Sequence, residues 1–316
     1  MIGLQPGQAI AVDWTAERYH GDTETTSRSQ LGDLADPERY FLRHEARTLP
    51  PDPRSASMQL GTAVHLAVLE PQEWQRRKFF AKPKRPKGAK KNAKPGTAAR
   101  INYDAWKAIC DAWERVVSHE AIVVEPEEMQ RVETMAERVR TQEFIAELLA
   151  KPGRSEQTVL WHHPPIEYQV QVGRELETHS ASLVVRVRVD RLVDLDEIVL
   201  VVLDLKTTES AEPTRFGYSI ADYGYLMQAA LYTDAVRALY PDREVHFVFA
   251  VVSSKWPYKR ACYALTDEDL EEGRNQYRAA MVELLTRRHT GDWTEDWQKS
   301  CQFIKLPRRA YRTPKR

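Results

Sequence analysis

The sequence predicts an α/β fold with a central mixed β-sheet flanked by α-helices, and three observations carry that prediction. Between Gln157 and Leu205 the apolar residues alternate or run continuously, the pattern of strands rather than helices. Before that stretch the spacing is helical and rich in charge on one side. After it the chain returns to a helix, a strand, an edge strand and a last long helix, the succession that layers helices on one sheet.

In chain order, the first two dozen residues are polar and weakly periodic and read as a loose arm, most clearly over 1–18, with the domain proper running from 19 to 306. Thr26 or Ser27 can cap a short helix through Leu34. Asp36-Pro37 starts a second, with Pro37 at the first helical position, where its missing N–H costs nothing. Pro50, Pro51 and Pro53 mark a loop. From Ser57 to Leu69 the residues Leu60, Val64 and Leu69 recur at near-helical spacing, and Pro71 is expected to end the helix. The Lys- and Pro-rich stretch 82–96 cannot build a core and reads as a mobile loop. Helices are expected over Ile101–Val117 and Pro126–Leu149. Lys151-Pro152-Gly153 then marks the change of period, and strands are expected over Gln157–Trp161, Tyr168–Val172, Leu183–Val193 and Ile198–Leu205. Ala221–Leu239 reads as a helix, Val245–Val252 as a strand and Ala261–Leu265 as an edge strand. Thr266 caps a last helix to about His289, and a basic tail, 307–316, closes the chain.

The chain has 316 residues, with 46 basic and 46 acidic, so no global charge advertises a nucleic-acid partner. The charge is nevertheless uneven. Lys82, Lys84, Arg85, Lys87, Lys90, Lys91 and Lys94 crowd one stretch without an acid, which can bring phosphates to a chosen place or simply form a solvated loop. Cys110, Cys262 and Cys301 are scattered and odd in number, giving no disulfide framework and no zinc or iron–sulfur spacing. With no signal peptide or membrane-length apolar run, the expectation is a soluble cytoplasmic protein with no membrane partner.

The most informative motif is Asp204-Leu205-Lys206, which closes the apolar run from Ile198 to Leu203. Two residues apart on a strand, both polar side chains leave the same face. A carboxylate there can hold a divalent cation while the amine stands beside the attacking water, the chemistry of a metal-dependent phosphodiesterase; an ordinary ion pair at a strand end is the plain alternative. His65, in Gly61-Thr62-Ala63-Val64-His65, offers a neutral imidazole for a metal or a hydrogen-bonded core histidine. In Arg186-Val187-Arg188-Val189-Asp190 strict alternation places the two arginines and Asp190 on one face, either toward solvent or toward DNA. A hairpin would bring Asp190 beside Asp204, and paired hard oxygen ligands are what Mg²⁺ or Mn²⁺ demands. Gln228 and Tyr232, at i and i+4, share a helix face and can reach a phosphate or base.

The order His, Asp, Asp-x-Lys, Gln-x-x-x-Tyr resembles the PD-(D/E)XK nuclease superfamily and its RecB-like branch. The segments Ser27–Leu31, Leu60–Pro71, Asp204–Thr208 and Tyr223–Tyr232 look like the nuclease domain of the RecE type, exonuclease VIII. The resemblance runs from about Tyr19 to Leu306. It implies a 5′→3′ exonuclease on linear double-stranded DNA that leaves a 3′ single strand for a RecT-like annealing partner in phage or prophage recombination. It also implies a homo-oligomeric ring around the product DNA. By the same resemblance the metal ligands fall on His65, Asp190 and Asp204, with Glu156 near a further family glutamate. The catalytic lysine falls on Lys206 and the Gln/Tyr motif on Gln228 and Tyr232. Mg²⁺ or Mn²⁺, two ions per site, would be the cofactor. Arg186, Arg188, Lys90 and Lys91 are the candidate DNA contacts. The stretch 164–180 is longer and more polar than the RecE pattern, and the loop at 82–94 more basic.

Two other readings compete. A CRISPR-associated or helicase-linked RecB-like nuclease would share the site, but its four-cysteine cluster and a Walker lysine loop are absent from this sequence. A catalytically silent DNA-binding member of the fold would be expected to have lost Asp190, Asp204 or Lys206, all of which are present.

Overall fold

The computed structural model describes residues 3–53, 55–80, 84–116, 122–299, 301 and 303–305. The chain opens with strand β1 (Ala9–Val12), helix α1 (Ala16–Gly21), the short β2 (Thr26–Ser27), α2 (Arg28–Asp33) and α3 (Pro37–Tyr40), which runs into a π-helical turn at Phe41–Glu45. Next come α4 (Ala56–Leu69), α5 (Pro71–Arg77), β3 (Lys78–Phe80), α6 (Ala98–Val116), β4 (Ile122–Val124), α7 (Pro126–Arg140) and α8 (Glu143–Ala150). The strand-rich middle holds β5 (Gly153–His162), β6 (Ile166–Val172), β7 (Glu175–Ala181), β8 (Val184–Asp194) and β9 (Val199–Thr208). The chain continues through α9 (Pro213–Asp222), α10 (Tyr225–Leu239), β10 (Glu244–Ser253), β11 (Arg260–Ala264), α11 (Asp267–Thr290) and α12 (Asp296–Lys299). Among the described residues no helix is long and apolar enough to cross a membrane.

The main sheet has the order β1-β5-β8-β9-β10-β11, with β2 added to β8. The β9–β10 and β2–β8 pairs are parallel and the others antiparallel, so the sheet is mixed, as expected. Helices cover both faces. One core joins α2, α10 and α11 to Val187, Val189, Val202 and Phe249. The other joins α4, α7 and α8 to Val201, Leu203, Leu205 and Val252. Phe249 is fully buried, and truncating a phenylalanine so placed costs about 3–5 kcal/mol.

The feature that positions the site is a fork in this sheet. The β8–β9 ladder runs from Asp194↔Leu200 to Arg191↔Leu203 and then stops. Beyond that point β8 stays with β5 on one side and takes the two residues of β2 on the other, while β9 continues against β10. Asp190 and Asp204, the next residues of the two strands, therefore face each other across the opening. The apolar alternation of β8 also shifts phase here: Val185, Val187, Val189 and Leu192 pack in the first core, and Val193 in the second.

Several elements differ from the sequence reading. Residues 1–18, expected to be a loose arm, include β1, which pairs along its whole length with Thr158–Trp161 of β5. Four residues are too few to show a period, and their pairing partner lies far along the chain. Pro71 does end α4, but as the first residue of α5, the position where proline suits a helix start. The helix expected over Pro126–Leu149 breaks at Thr141-Gln142, where the Gln142 side chain caps the Ile145 N–H, 2.7 Å away. The helix expected over Ala221–Leu239 is two helices, because Gly224 is left-handed with φ 62°. The polar stretch 164–180 forms a separate hairpin of β6 and β7. Capping chemistry was the most legible signal: Ser27 with Gln30 and Thr266 with Asp269 both form capping boxes. The tail at 307–316 and Lys82 lie outside the described residues.

Candidate active site

The fork gathers five side chains from three strands and a helix into one polar cluster. Asp190 comes from β8 and Asp204 and Lys206 from β9. Glu156 stands on β5 in register with Asp190, between the Ser155↔Arg191 and Gln157↔Val189 pairs. Glu156 has φ 53°, a left-handed conformation that a side chain adopts at a cost of roughly 1–2 kcal/mol. Such backbone strain concentrates where a side chain must be aimed. His65 arrives from α4, whose buried face (Leu60, Val64, Leu66 to Leu69) fixes the helix against the β9 side of the sheet.

The distances show potential metal-ligand atoms crowding one point, with His65 Nε2 donating to a carbonyl when no ion is bound. His65 Nε2 is 2.6 Å from the Leu205 carbonyl oxygen and 3.4 Å from Asp190 Oδ2. Ligand atoms of His65, Glu156 and Asp190 all lie within 4.8 Å of one another. The Leu205 N–H donates to Asp190 Oδ2 at 2.8 Å. Asp204 is 1% exposed; its Oδ1 accepts from Gln228 Nε2 at 2.7 Å, while Oδ2 lies 2.5 Å from Lys206 Nζ but accepts no well-directed hydrogen bond. Lys206 Nζ donates to Gln228 Oε1 at 3.2 Å and stands over the Tyr225 ring, 4.6 Å from its centre. Gln228 thus bridges the carboxylate and the amine, which fixes both.

Burial pushes the Asp190 carboxyl up to about 7; His65 pulls it down, and the nearby Asp204 charge adds to the rise. For Lys206 burial is the largest influence and favours loss of the proton, but Asp204 and then Asp190 together outweigh it and hold the ammonium above its ordinary range. The nitrogen and oxygen acceptors, with one buried carboxylate oxygen lacking a directed donor, suit a hard divalent cation. His65, Asp190, Glu156 and the Leu205 carbonyl could hold it, with Asp204 beside them.

His65, Glu156, Asp190, Leu205, Lys206 and Tyr225 line a cleft of about 2330 Å³ that is open to solvent, with Asp204 buried behind it. The other candidates fall differently. Arg188 donates to Glu156 Oε2 at 2.6 Å and to the Trp14 carbonyl at 2.9 Å, so its guanidinium aims Glu156 into the cluster while still facing the cleft. Arg186 is 4% exposed and is spent on Asp22 and Thr25 with the Tyr19 ring beside it, which makes it a core residue rather than a free DNA contact. Alternation placed it correctly on the face of Arg188, but residues 14–25 cover that face. Tyr232 is buried and bonded to Tyr19, behind the cluster rather than in the cleft. Lys90 and Lys91 are exposed on the loop before α6 and do not line the cleft.

Two contributors had no role assigned from sequence. Arg28, within the Ser27–Leu31 segment, donates to the carbonyls of Tyr223 and Gly224 (2.6 Å for the second). It thereby locks the turn between α9 and α10. The positive φ favours glycine at 224, and a Cβ there would push the Arg28 guanidinium off the two carbonyls it holds. Tyr225 precedes Gln228 by one helical turn, a spacing that could have marked it as its neighbour on that face.

Comparison with known proteins fits this geometry. A family model described as a PDDEXK-like domain of unknown function (DUF3799) matches residues 27–307. A crystal structure of a protein from Eubacterium rectale, provisionally named an exonuclease, superposes with a TM-score of 0.51 at 14% identity, covering 94% of this chain and 96% of that one. A structure of SSO0001 aligns at 12% identity over 72% of this chain and 84% of that one, with a TM-score of 0.24 that carries no argument. No curated protein matches the sequence.

Proposed function

Because the chain belongs to the PDDEXK-like family DUF3799, and so bears out the resemblance to PD-(D/E)XK proteins, we propose that it is a divalent-metal-dependent DNA nuclease. The observation that carries this reading is the convergence of His65, Glu156 and Asp190 acceptor atoms beside the buried Asp204–Lys206 pair. His65, Asp190 and Glu156, with Asp204 beside them, would hold Mg²⁺ or Mn²⁺, which would supply Lewis acidity toward the scissile phosphate and acidify a nearby water. Lys206, an ammonium kept in place by Asp204 and Gln228, orients the attacking water and offsets charge that grows on the phosphate. Arg188 keeps Glu156 turned inward. Gln228 prevents Asp204 from rotating away.

More finely, the reaction is 5′→3′ exonucleolysis of linear double-stranded DNA that leaves a 3′ single strand, with two ions per site, a homo-oligomeric ring and a RecT-like annealing partner. The likeness to the RecE type supports this, and the provisional name of the Eubacterium rectale neighbour supports the exonuclease part alone. The test is linear duplex labelled at the 5′ or the 3′ end of one strand, beside a closed circular duplex, with Mg²⁺, EDTA and Asp204→Ala controls. Early release of mononucleotide from the 5′ label, shortening of the 3′-labelled strand and an intact circle are expected. Cutting of the circle would replace this reading with an endonuclease of the same fold, and no Mg²⁺-dependent cleavage would leave a DNA-binding member.

A further inference from the structure

The α9–α10 turn brings tyrosines to the cleft in an arrangement that the cleavage chemistry does not use. Tyr223 is 62% exposed and Tyr218 63% exposed, and both line the cleft. Single exposed aromatics are common on protein surfaces. Here, however, the rings lead inward: Tyr223 lies 5.7 Å from Tyr225, ring centre to ring centre, and Tyr225 lies against Lys206. The path from solvent to the amine is therefore a short run of aromatic faces. The backbone beneath it is pinned, because Arg28 donates to the carbonyls of Tyr223 and Gly224, one on each side of the Gly224 Cα, and Gly224 is left-handed.

The charges nearby fit one backbone passing the rings. Arg215, exposed on α9 and lining the same cleft, forms no ion pair among the described residues. Lys255 lines the cleft as well but is paired with Glu209. Asp222 also lies on this side, and Glu209 and Glu212 are near enough to feel the Arg215 charge, so Arg215 is a single cationic contact on a surface of balanced charge. A modest cationic contact beside aromatic faces is how proteins hold single-stranded nucleic acid without reading its sequence. Paired bases are stacked within the duplex and offer no free face to such a ring.

We propose that Tyr223, supported by Tyr225 and flanked by Tyr218, is a stacking platform for unpaired nucleotides of the scissile strand, with Arg215 meeting their backbone. The inference rests on the nuclease reading and names the form of its substrate: the strand reaches Lys206 already separated from its complement at the last few nucleotides.

The test uses a single-stranded oligodeoxynucleotide with 2-aminopurine near its 5′ end, titrated with the full chain in Ca²⁺, while cleavage of the same oligonucleotide in Mg²⁺ is followed separately. Wild type is expected to quench the probe by stacking. Tyr223→Ala should bind about tenfold more weakly with the quenching lost, as removal of one base-stacking ring predicts. Tyr223→Phe should keep both, and Tyr218→Ala should show a smaller loss. Unchanged melting temperatures would exclude unfolding as the cause. If wild type cleaves but Tyr223→Ala binds and quenches as wild type does, the platform is refuted and the nuclease reading stands. Weak binding by Tyr223→Phe as well would refute stacking in favour of a hydroxyl contact. If wild type neither cleaves nor quenches, both fall.

Discussion

Two polar clusters in this protein use the same ingredients and end in opposite conditions. Where α10 meets α11, Asp234 accepts from Arg274 Nε at 2.9 Å, from Arg274 Nη2 at 3.0 Å and from the Tyr277 hydroxyl at 2.9 Å. Arg274 also donates to Glu271 Oε2 at 2.8 Å and Arg237 stands 3.6 Å from Asp234, so carboxylates and guanidiniums match and charge and hydrogen bonds both close. At the fork three carboxylates, a histidine and a backbone carbonyl crowd around Lys206 and Arg188, and acceptors outnumber donors. Arg274 is held above its ordinary range by its Asp234 hydrogen bond, whereas burial pushes Asp190 toward protonation. A closed network holds helices together. An open one, with its acceptors aimed at one point, asks for a cation from outside.

Substitutions should separate the two clusters. The largest effect is expected from Asp204→Ala, which should abolish Mg²⁺-dependent cleavage while DNA binding in a filter or anisotropy assay persists; Lys206→Ala should do nearly the same. A wild-type rate in either variant would place the chemistry elsewhere. Next come two matched changes. Asp234→Asn should cost about 1.5–3 kcal/mol of stability, because Arg274 and Tyr277 lose their charged partner while Glu271 still holds one arm of Arg274. Asp190→Asn should raise the melting temperature of metal-free protein at pH 8 and abolish any further gain from Mn²⁺. Equal losses in both variants would erase the distinction between closed and open clusters.

Acidity sharpens the same contrast. A carboxyl whose folded value is raised from 3.8 to about 7 binds its proton more tightly when folded than when unfolded. Its contribution is thus fully present below about pH 4 and is lost as pH rises through 7. Metal-free wild type should lose stability across that window relative to Asp190→Asn, as read by denaturant melts at each pH. Parallel curves would show that Asp190 is ionised throughout.

Arg188→Ala should weaken Mn²⁺ binding by about 10- to 100-fold, the usual consequence of removing a residue that orients a ligand. Titration calorimetry reads this directly, and an unchanged affinity would remove Glu156 from the ligand set. The smallest effect is expected at the loop: Lys90→Ala with Lys91→Ala should lower the salt dependence of DNA binding by at most about two units of slope. An unchanged slope would assign the loop to solvent.

The β9 end of the site was legible because a continuous apolar run stops at Asp204 and Lys206 falls two residues later, so local geometry alone put both on one face. His65 and Gln228 were legible as helix residues of suitable chemistry, and Glu156 only through resemblance. Nothing local shows that its register faces Asp190 or that its φ is positive. The covering of Arg186 by residues 14–25, the use of β1 as an edge strand and the Arg28 clamp on Gly224 all depend on segments far apart in sequence. Periodicity tells which side chains share a face, while only the assembled chain tells which face is covered.

Titrating Mn²⁺ into metal-free protein by calorimetry asks whether the fork accepts a cation and the Asp234 network does not. Wild type and Asp234→Asn should bind with the same stoichiometry and similar affinity, and Asp190→Asn should lose that binding. Undiminished binding by Asp190→Asn, or no binding by well-folded wild type, would contradict a cation site at the fork.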